Sequence, residues 1–479
     1  MPSRTRASER QNTAKAELRW RQLCKIYLPI TCRNSIWRVS RRRNDEDRVQ
    51  GWKLHVSATI LSACELLQKI GPYLRRRAVL FKGPQSLNAL LKLNAAVTSE
   101  FSQIGKFITV YPQSDKAGVE IARILHGLTR RFKAPIVPYD ERFRKGSCVY
   151  YRYGAFSGRL LKLRGKSCLA IRAPNGQVIA DRREPGTAVP RWLVDPFRKG
   201  KSNGRCESVT PLETDYKRYQ AIIQRGRGGV YRALDISSGR PSSCIIKEGR
   251  RHGETDWFGR DGYDLIKREA EFLRSVSRRV AIVPRLRRTF RANGSYYLVQ
   301  NVIRGRSLQS IIAGEQPISR SRLFGYCNSM VQIVSDIHGA GWVWRDCKPD
   351  NFLCDKKNGL TAIDFERACQ ISAPDPLTLA TRGYIRRNGG GTLEQIDLYA
   401  LGTSLMQVIA RRRSPEGVYK AFKRAARRYR LPSRLVAVIR RFRSSKCNGD
   451  ALKVALAELT KLRYTRRGRG ANKPNLANR

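Results

Sequence analysis

Trp344-Arg345-Asp346-Cys347-Lys348-Pro349-Asp350-Asn351, followed by Ile363-Asp364-Phe365-Glu366, sets a carboxylate, a cation and two oxygen ligands at fixed intervals. Asp364 stands 13 residues after Asn351, room for two short strands and a turn that return both side chains to one metal site. Phosphoryl transfer asks a protein for this equipment: an oriented hydroxyl, screened phosphate charge and Mg²⁺, with little covalent chemistry. Asp346 is the candidate base for the hydroxyl proton and Lys348 the candidate partner of the γ-phosphate. Asn351 and Asp364 are the candidate Mg²⁺ ligands.

The preceding sequence supplies further parts in order. Tyr219 to Ile223 reads as a strand, and Gly226-Arg227-Gly228-Gly229-Val230-Tyr231 as a turn into a second strand. Glycines there allow backbone N–H groups to approach phosphates. Cys244-Ile245-Ile246-Lys247 reads as a third strand that aims Lys247 at the α- and β-phosphates. Tyr263 to Val276 has helical periodicity, and Glu269 on it is a candidate ion-pair partner of Lys247. Leu323, Phe324, Cys327, Met330, Val331, Val334 and Ile337 form the buried stripe of one long helix, with His338 as a structural residue at its end. Asp397 opens another buried helix, whose C-terminus suits the cations Arg411 to Arg413.

Together these parts resemble the eukaryotic-type protein kinases, over about residues 214–462. The resemblance implies a bilobal fold that uses ATP or GTP with Mg²⁺. It implies that Gly226, Gly228, Gly229 and Val230 cover the phosphates. It makes Tyr297 to Ile303 the hinge, with Asn301 and Ile303 as backbone partners of adenine, and has Asp397 brace the catalytic loop. Three departures stand out. Trp344 replaces the usual His before Arg-Asp, Glu366 replaces the Gly after Asp-Phe, and Tyr384-Ile385-Arg386-Arg387 stands where an Ala-Pro-Glu would close the activation segment. None removes a catalytic group.

The first half reads differently. Gly51-Trp52-Lys53-Leu54-His55-Val56-Ser57 is a strand running into a helix that carries Ile60, Leu61, Cys64 and Leu67, with Ser57 as its N-cap. Side chains alternate along a strand, so Lys53 and His55 share a face. Phe81-Lys82, a strand opening at Gly105-Lys106, and Val149-Tyr150-Tyr151-Arg152-Tyr153-Gly154 follow, then Asp181-Arg182-Arg183-Glu184-Pro185 and Val194-Asp195-Pro196-Phe197. In this order, and with a kinase-like half behind it, the series resembles the phosphoserine/phosphothreonine lyase domain of class III and class IV lanthipeptide synthetases, over about residues 45–460.

The resemblance implies phosphorylation of Ser or Thr in a ribosomal precursor peptide, then loss of phosphate to leave dehydroalanine or dehydrobutyrine. Elimination needs a base near the α-carbon, an acid near the leaving oxygen, and cations for the phosphate and developing enolate. By resemblance His55 is the general acid, Lys82 the first choice of base with Lys106 second, and Lys53 polarises the peptide carbonyl. Arg152 and one of Arg182 and Arg183 clamp phosphate. Those synthetases continue into a ring-closing cyclase. Here the kinase-like part ends near Leu462, so the expectation is that a separate cyclase acts, that the product stays dehydrated, or that the chain has another task. Two other readings stand beside this one. One is a Ser/Thr kinase whose first domain only binds substrate; the other is a polybasic pseudokinase scaffold, against which Lys247, Asp346, Asn351 and Asp364 argue.

The expected fold class is α+β: a basic segment 1–44, a lyase-like domain 45–198, a linker 199–213, a bilobal kinase-like domain 214–462 and a basic tail 463–479. Residues 1–20 and the tail are expected to be disordered. The 12 Cys include no C-x-x-C pair, and neither a signal peptide nor a transmembrane run is visible, which points to the cytoplasm and away from membranes. The net charge of +57 implies nonspecific affinity for polyanions; the basic residues form no recognisable nucleic-acid fold.

Overall fold

Alternation along Gln50–Val56 organises the first half. Trp52, Leu54 and Val56 enter the hydrophobic core, so Lys53 and His55 take the opposite face of the sheet. In a computed structural model this strand is the third of a seven-stranded sheet. The structure describes residues 2–464 except 98–99, 159, 164–165, 199–209, 277–279, 281, 375–380, 387–390 and 446. The expected linker and tail therefore lie largely outside the described residues.

The first unit contains α1 (Pro2–Tyr27), β1 (Ile30–Thr31), β2 (Trp37–Val39), β3 (Gln50–Val56), α2 (Ala63–Arg76), β4 (Leu80–Pro84) and α3 (Leu87–Ala95). It continues through β5 (Ile108–Tyr111), α4 (Asp115–Thr129), β6 (Glu141–Arg142), β7 (Val149–Ala155) and the small sheet β8 (Leu160–Leu163), β9 (Lys166–Arg172), β10 (Val178–Ala180). The large sheet runs β1-β2-β4-β5-β3-β7-β6, with its pairs antiparallel.

Two expectations fail here. Residues 2–20 are helical, and the segment before residue 45 helps build the domain. Trp20, Leu23 and Cys24 are buried at i, i+3 and i+4, Trp20 lies 5.5 Å from Phe107, and β2 pairs with β4. Three apolar side chains scattered among polar and basic residues carry this docking, which composition hides. Ser57 is no N-cap: its Oγ donates to the Pro135 carbonyl at 2.8 Å, and α2 begins only at Ala63 after a turn.

The second unit has α5 (Pro211–Thr214) and a five-stranded sheet of β11 (Tyr216–Arg225), β12 (Gly228–Asp235), β13 (Ser242–Arg250), β14 (Leu286–Ala292) and β15 (Ser295–Asn301), backed by α6 (Gly262–Val276). The helical part holds β16 (Arg306–Ser307), α7 (Leu308–Ala313), α8 (Arg320–Gly339), β17 (Trp342–Val343), β18 (Phe352–Cys354), β19 (Leu360–Ala362) and β20 (Cys369–Gln370). It ends with α9 (Leu393–Ala410), α10 (Val418–Arg428), α11 (Ser433–Arg441) and α12 (Asp450–Tyr464). The stripe read on α8 is buried against α9 and α12. Helix α9 starts four residues before Asp397, at a Thr392/Gln395 capping box. Arg411 leaves the end of α9 and donates instead to the Gly314 and Gln316 carbonyls.

The two units touch at the glycine-rich turn. Gly226 N–H donates to the Ala95 carbonyl at 3.1 Å, and a Cβ on Gly226 would lie 1.5 Å from the Asn94 carbonyl oxygen. Only glycine fits there. All described cysteines are free thiols, and no described helix is long and apolar enough to cross a membrane.

Candidate active sites

In the second unit, β13 and α6 bring Lys247 and Glu269 together inside the protein. Lys247 Nζ lies 2.7 and 2.9 Å from the two Glu269 oxygens and 3.3 Å from Asp364 Oδ1. Burial works against the Lys247 cation, but Glu269 and Asp364 outweigh it and hold the ammonium above its ordinary range. Burial alone would raise the Asp364 carboxyl; Lys247, Arg227 and Lys348 hold it below its usual value. Phe365 N–H donates to Glu269 at 3.2 Å, which ties the Asp-Phe-Glu segment to α6.

The catalytic loop is braced from α9. Asp397 accepts the Trp344 N–H at 2.7 Å and the Arg345 N–H, and bonds His338 Nε2 at 3.0 Å. Arg345 and Asp364 both hold left-handed backbone, with φ of +66° and +69°. Such strain persists only where its surroundings enforce it. Trp344 shows what can stand in the usual His position: its indole N–H donates to the Asp364 carbonyl at 3.0 Å and its ring lies 5.2 Å from Phe365.

Asp346 is held by several donors. Lys348 Nζ reaches it at 2.9 Å, Asn351 Nδ2 at 3.0 Å and Thr381 Oγ1 at 3.1 Å. With its amide nitrogen committed to Asp346, Asn351 keeps its side-chain carbonyl as an acceptor. Ile363 N–H bonds the Asn351 backbone carbonyl at 2.9 Å and so draws Asp364 alongside. An amide oxygen and a carboxylate are hard oxygen donors that fit Mg²⁺. Gly228, Gly229 and Val230 lie on β12, and Gly226 in the turn before it. At the hinge, the Asn301 N–H is already given to the Arg285 carbonyl at 3.1 Å, so Asn301 has only its carbonyl to offer adenine; Ile303 follows β15 in a half-buried segment.

In the first unit, register assembles the polar face. Lys82, Thr109, His55 and Tyr150 form one row across β4, β5, β3 and β7, and Lys53 pairs with Arg152 two residues along. His55 Nδ1 bonds the buried Asp140 carboxylate, which also lies 3.6 Å from Lys106 and 3.8 Å from Arg152. Asp181 accepts Arg152 at 2.8 Å, Lys53 at 3.3 Å and the Ala155 N–H at 3.1 Å. It reaches the strand because residue 154 is glycine; a Cβ there would lie 2.7 Å from its carboxylate. Arg152 Nη1 is buried without a hydrogen-bond partner.

Cations crowded into a dry site lose affinity for protons. Burial pushes Lys53 down to about 7 in spite of Asp181, with Arg152, Arg183 and Lys106 adding to the effect. Burial and Arg183 bring Lys82 to about 8. Lys106 also falls to about 8, chiefly by burial, although Asp140 opposes it. Burial takes His55 to about 3, Asp140 opposing, so its imidazole is neutral near pH 7.

Comparison with known proteins follows this division. Residues 30–207 match the family described as RamC, N-terminal domain, and residues 217–435 match the protein kinase domain family. The chain carries a RamC-type domain followed by a protein kinase domain. It is 26% identical over 363 residues to the protein named Probable SapB synthase of Streptomyces coelicolor, covering 73% of this chain and 38% of that one. It is 28% identical over 179 residues to Serine/threonine-protein kinase F of Synechocystis, covering 35% of this chain and 36% of that one. It is 26% identical over 233 residues to Calcium-dependent protein kinase 21 of Arabidopsis thaliana, covering 44% and 42%. The chain thus spans less than half the length of each of these relatives.

The RamC-type domain brings together Lys53, His55, Lys106 and Arg152 around Asp140 and Asp181, whereas Lys82 stands two strands from His55 in the same row, its Nζ 4.5 Å from the Trp37 ring. Of the two clamp candidates, Arg183 is half-buried and acts on all three lysines, whereas Arg182 is exposed and contributes its backbone carbonyl to Arg152 at 2.7 Å. Sequence reasoning missed Asp140 as the partner of His55 and gave Asp181 no role. It also missed Thr381 at Asp346, and Arg227, whose Nη1 lies 2.7 Å from Glu366 Oε1. Buried carboxylates in so basic a chain are a usable signal, but only once burial is known.

Proposed function

We propose that this protein phosphorylates Ser or Thr in a peptide with ATP or GTP and then eliminates the phosphate to leave a dehydroamino acid. In the kinase domain, Asp346 takes the hydroxyl proton while Lys348 steadies the γ-phosphate and Lys247 the α- and β-phosphates. Asn351 and Asp364 would hold Mg²⁺, which would neutralise charge on the phosphates. In the RamC-type domain, Lys82 removes the α-proton. The freed electron pair forms the Cα–Cβ double bond, and the Cβ–O bond breaks to release phosphate. Lys53 stabilises the enolate oxygen. His55, oriented by Asp140, shares a proton with the leaving phosphate once the substrate's negative charge offsets the surrounding cations.

The observation that carries the second step is the unpartnered Nη1 of buried Arg152, beside His55, Lys53 and Lys106 in a site with more cations than its two carboxylates balance. A bound dianion supplies what that pocket lacks. Lys82 is favoured over Lys106 because Asp140 holds the Lys106 proton, whereas no described carboxylate pairs with Lys82. Similarity over 73% of this chain to the relative named a probable SapB synthase, together with the protein kinase domain, supports a peptide or protein as substrate. A cytoplasmic setting remains part of the same proposal.

The test is mass spectrometry of a Ser/Thr-containing precursor peptide incubated with protein, Mg²⁺ and ATP or GTP. Loss of water, changed to a stable gain of phosphate by His55→Ala or Lys82→Ala, is expected. A stable phosphate gain with the unmutated protein would leave a kinase whose first domain only binds substrate.

A further inference from the structure

We propose that Trp37 is a positioning residue of the elimination site, whose ring holds the Lys82 amine in place and stabilises the charge that the amine acquires when it takes the α-proton. This inference rests on the elimination reading above and adds a residue from β2 to it. Lys82 Nζ lies 4.5 Å from the centre of the Trp37 ring. Register makes the contact. Val39 pairs with Lys82 and Trp37 with Pro84, so Trp37 and Lys82 are diagonal neighbours across β2 and β4. Side chains two residues apart on a strand share a face, which puts Trp37 on the face that carries Lys82, Thr109 and His55.

The strand that carries this ring is fixed from several sides. Gln85 N–H donates to the Ile36 carbonyl at 2.8 Å and Ser40 N–H to the Phe81 carbonyl at 2.9 Å, which pins β2 at both ends. The Arg38 guanidinium donates to the Leu28 and Pro29 carbonyls at 2.6 and 2.8 Å, tying β2 to the chain that leaves α1. Trp20 Nε1 donates to the carbonyl of Pro84, the strand partner of Trp37, at 3.3 Å. The segment before residue 45 thus supplies a side chain to the site as well as a helix to the core.

Lys82 is held differently from the other lysines of the site. Asp181 holds Lys53 at 3.3 Å, and Asp140 lies 3.6 Å from Lys106. A carboxylate so placed strongly favours the charged amine and keeps its proton on it. A π face attracts an ammonium more weakly, and Trp offers the best such face among the aromatic side chains. Lys82 is therefore kept in one place while its amine stays free to accept a proton. The attraction strengthens as the proton moves from the α-carbon to Nζ, so the ring acts where charge develops. The other groups that face Lys82 are Arg183 from the segment after β10, Cys32 after β1 and the uncharged Thr109 on β5. Arg183 repels the new charge, and Trp37 offsets that repulsion.

Two measurements on the full-length protein test this. The first is the pH profile of kcat/KM for a synthetic phosphoserine peptide. Trp37→Leu is expected to lower the high-pH plateau by about threefold to tenfold and to move the inflection down by about half to one pH unit, because the ammonium has lost its partner. Trp37→Phe keeps a π face, and is expected to restore most of the plateau and of the inflection. It also guards against misfolding of the Leu variant. An inflection that moves up in Trp37→Leu would mean that water had entered a loosened site, and would overturn the proposal. Phe and Leu variants that behave alike would overturn it too. The second measurement needs no catalysis. Acylation of Lys82 by acetic anhydride, read by mass spectrometry of the peptide that contains it, reports the fraction of free amine at each pH. Its midpoint is expected to move down by the same amount in Trp37→Leu, and a midpoint that stays in place would sink the proposal. If the unmutated protein consumes no phosphopeptide, the elimination reading fails, and the acylation midpoints still decide whether Trp37 holds Lys82.

Discussion

Arg227 at the tip of the glycine-rich turn and Glu366, two residues after the candidate metal ligand Asp364, form an ion pair of 2.7 Å across the candidate nucleotide site. Burial and the Asp364 charge push the Glu366 carboxyl up to about 7, against the pull of Arg227. Glu366 therefore becomes neutral as pH falls through about 7, and Arg227 is released towards the phosphates. KM for ATP should fall between pH 8 and pH 6. Glu366→Gln should flatten that dependence, and Arg227→Ala should raise KM by about tenfold, as expected for loss of a charge-assisted contact. An unchanged pH profile in Glu366→Gln would sink this account.

Lys247 and Glu269 are buried as a pair, so removing one charge strands the other. Lys247→Met should destabilise the kinase domain by about 3–5 kcal/mol in chemical denaturation. Lys247→Met/Glu269→Leu should regain most of that stability but no phosphotransfer. A double variant as unstable as the single one would show that the pair is not the source of the loss.

The Lys82 amine must be neutral to take the α-proton. With its pKa at about 8, kcat/KM for a preformed phosphopeptide should rise about tenfold per pH unit below 8 and level off above it. Arg183→Ala removes a cation that depresses Lys82, and should shift the profile to higher pH. The same site affects stability. A Lys that binds its proton more weakly folded than unfolded costs stability below about 8, and that cost fades as pH rises towards the unfolded value near 10.4. Lys82→Ala should leave phosphopeptide unconsumed; if Lys106→Ala alone does so, the base is Lys106.

Helix α1 belongs to the RamC-type domain through Trp20, which is wholly buried. Trp20→Ala should cost about 3–5 kcal/mol of that domain's stability. Leu18→Ala, at a position 58% exposed, should cost less than about 0.5 kcal/mol. Equal losses would mean that the helix is held by something other than its apolar stripe.

The kinase half was legible because its chemistry lies along the chain. Asp346, Lys348 and Asn351 share one loop, and Lys247 meets Glu269 across one strand and one helix. The polar row of the RamC-type domain was only half legible. Alternation alone puts Lys53 and His55 on one face, but Lys82 joins them through two intervening pairings. Asp140 arrives from a loop 85 residues beyond His55 and gives no periodic signal. Helix α1 was misread because polar and basic residues dominate its composition, while the three apolar positions Trp20, Leu23 and Cys24 decide where it packs.

The contact of Gly226 with Asn94 and Ala95 makes the two halves poor candidates for exchange. A kinase domain borrowed from a relative with any side chain at that position would meet the Asn94 carbonyl and could not seat. Asn94 in turn donates to the Ala58 carbonyl at 3.0 Å and accepts the Gly105 N–H at 3.1 Å, next to Lys106. A chimera must therefore be cut on either side of this junction with both partners kept. Substitutions in the glycine-rich turn and in the 94–106 region are then inherited as a set.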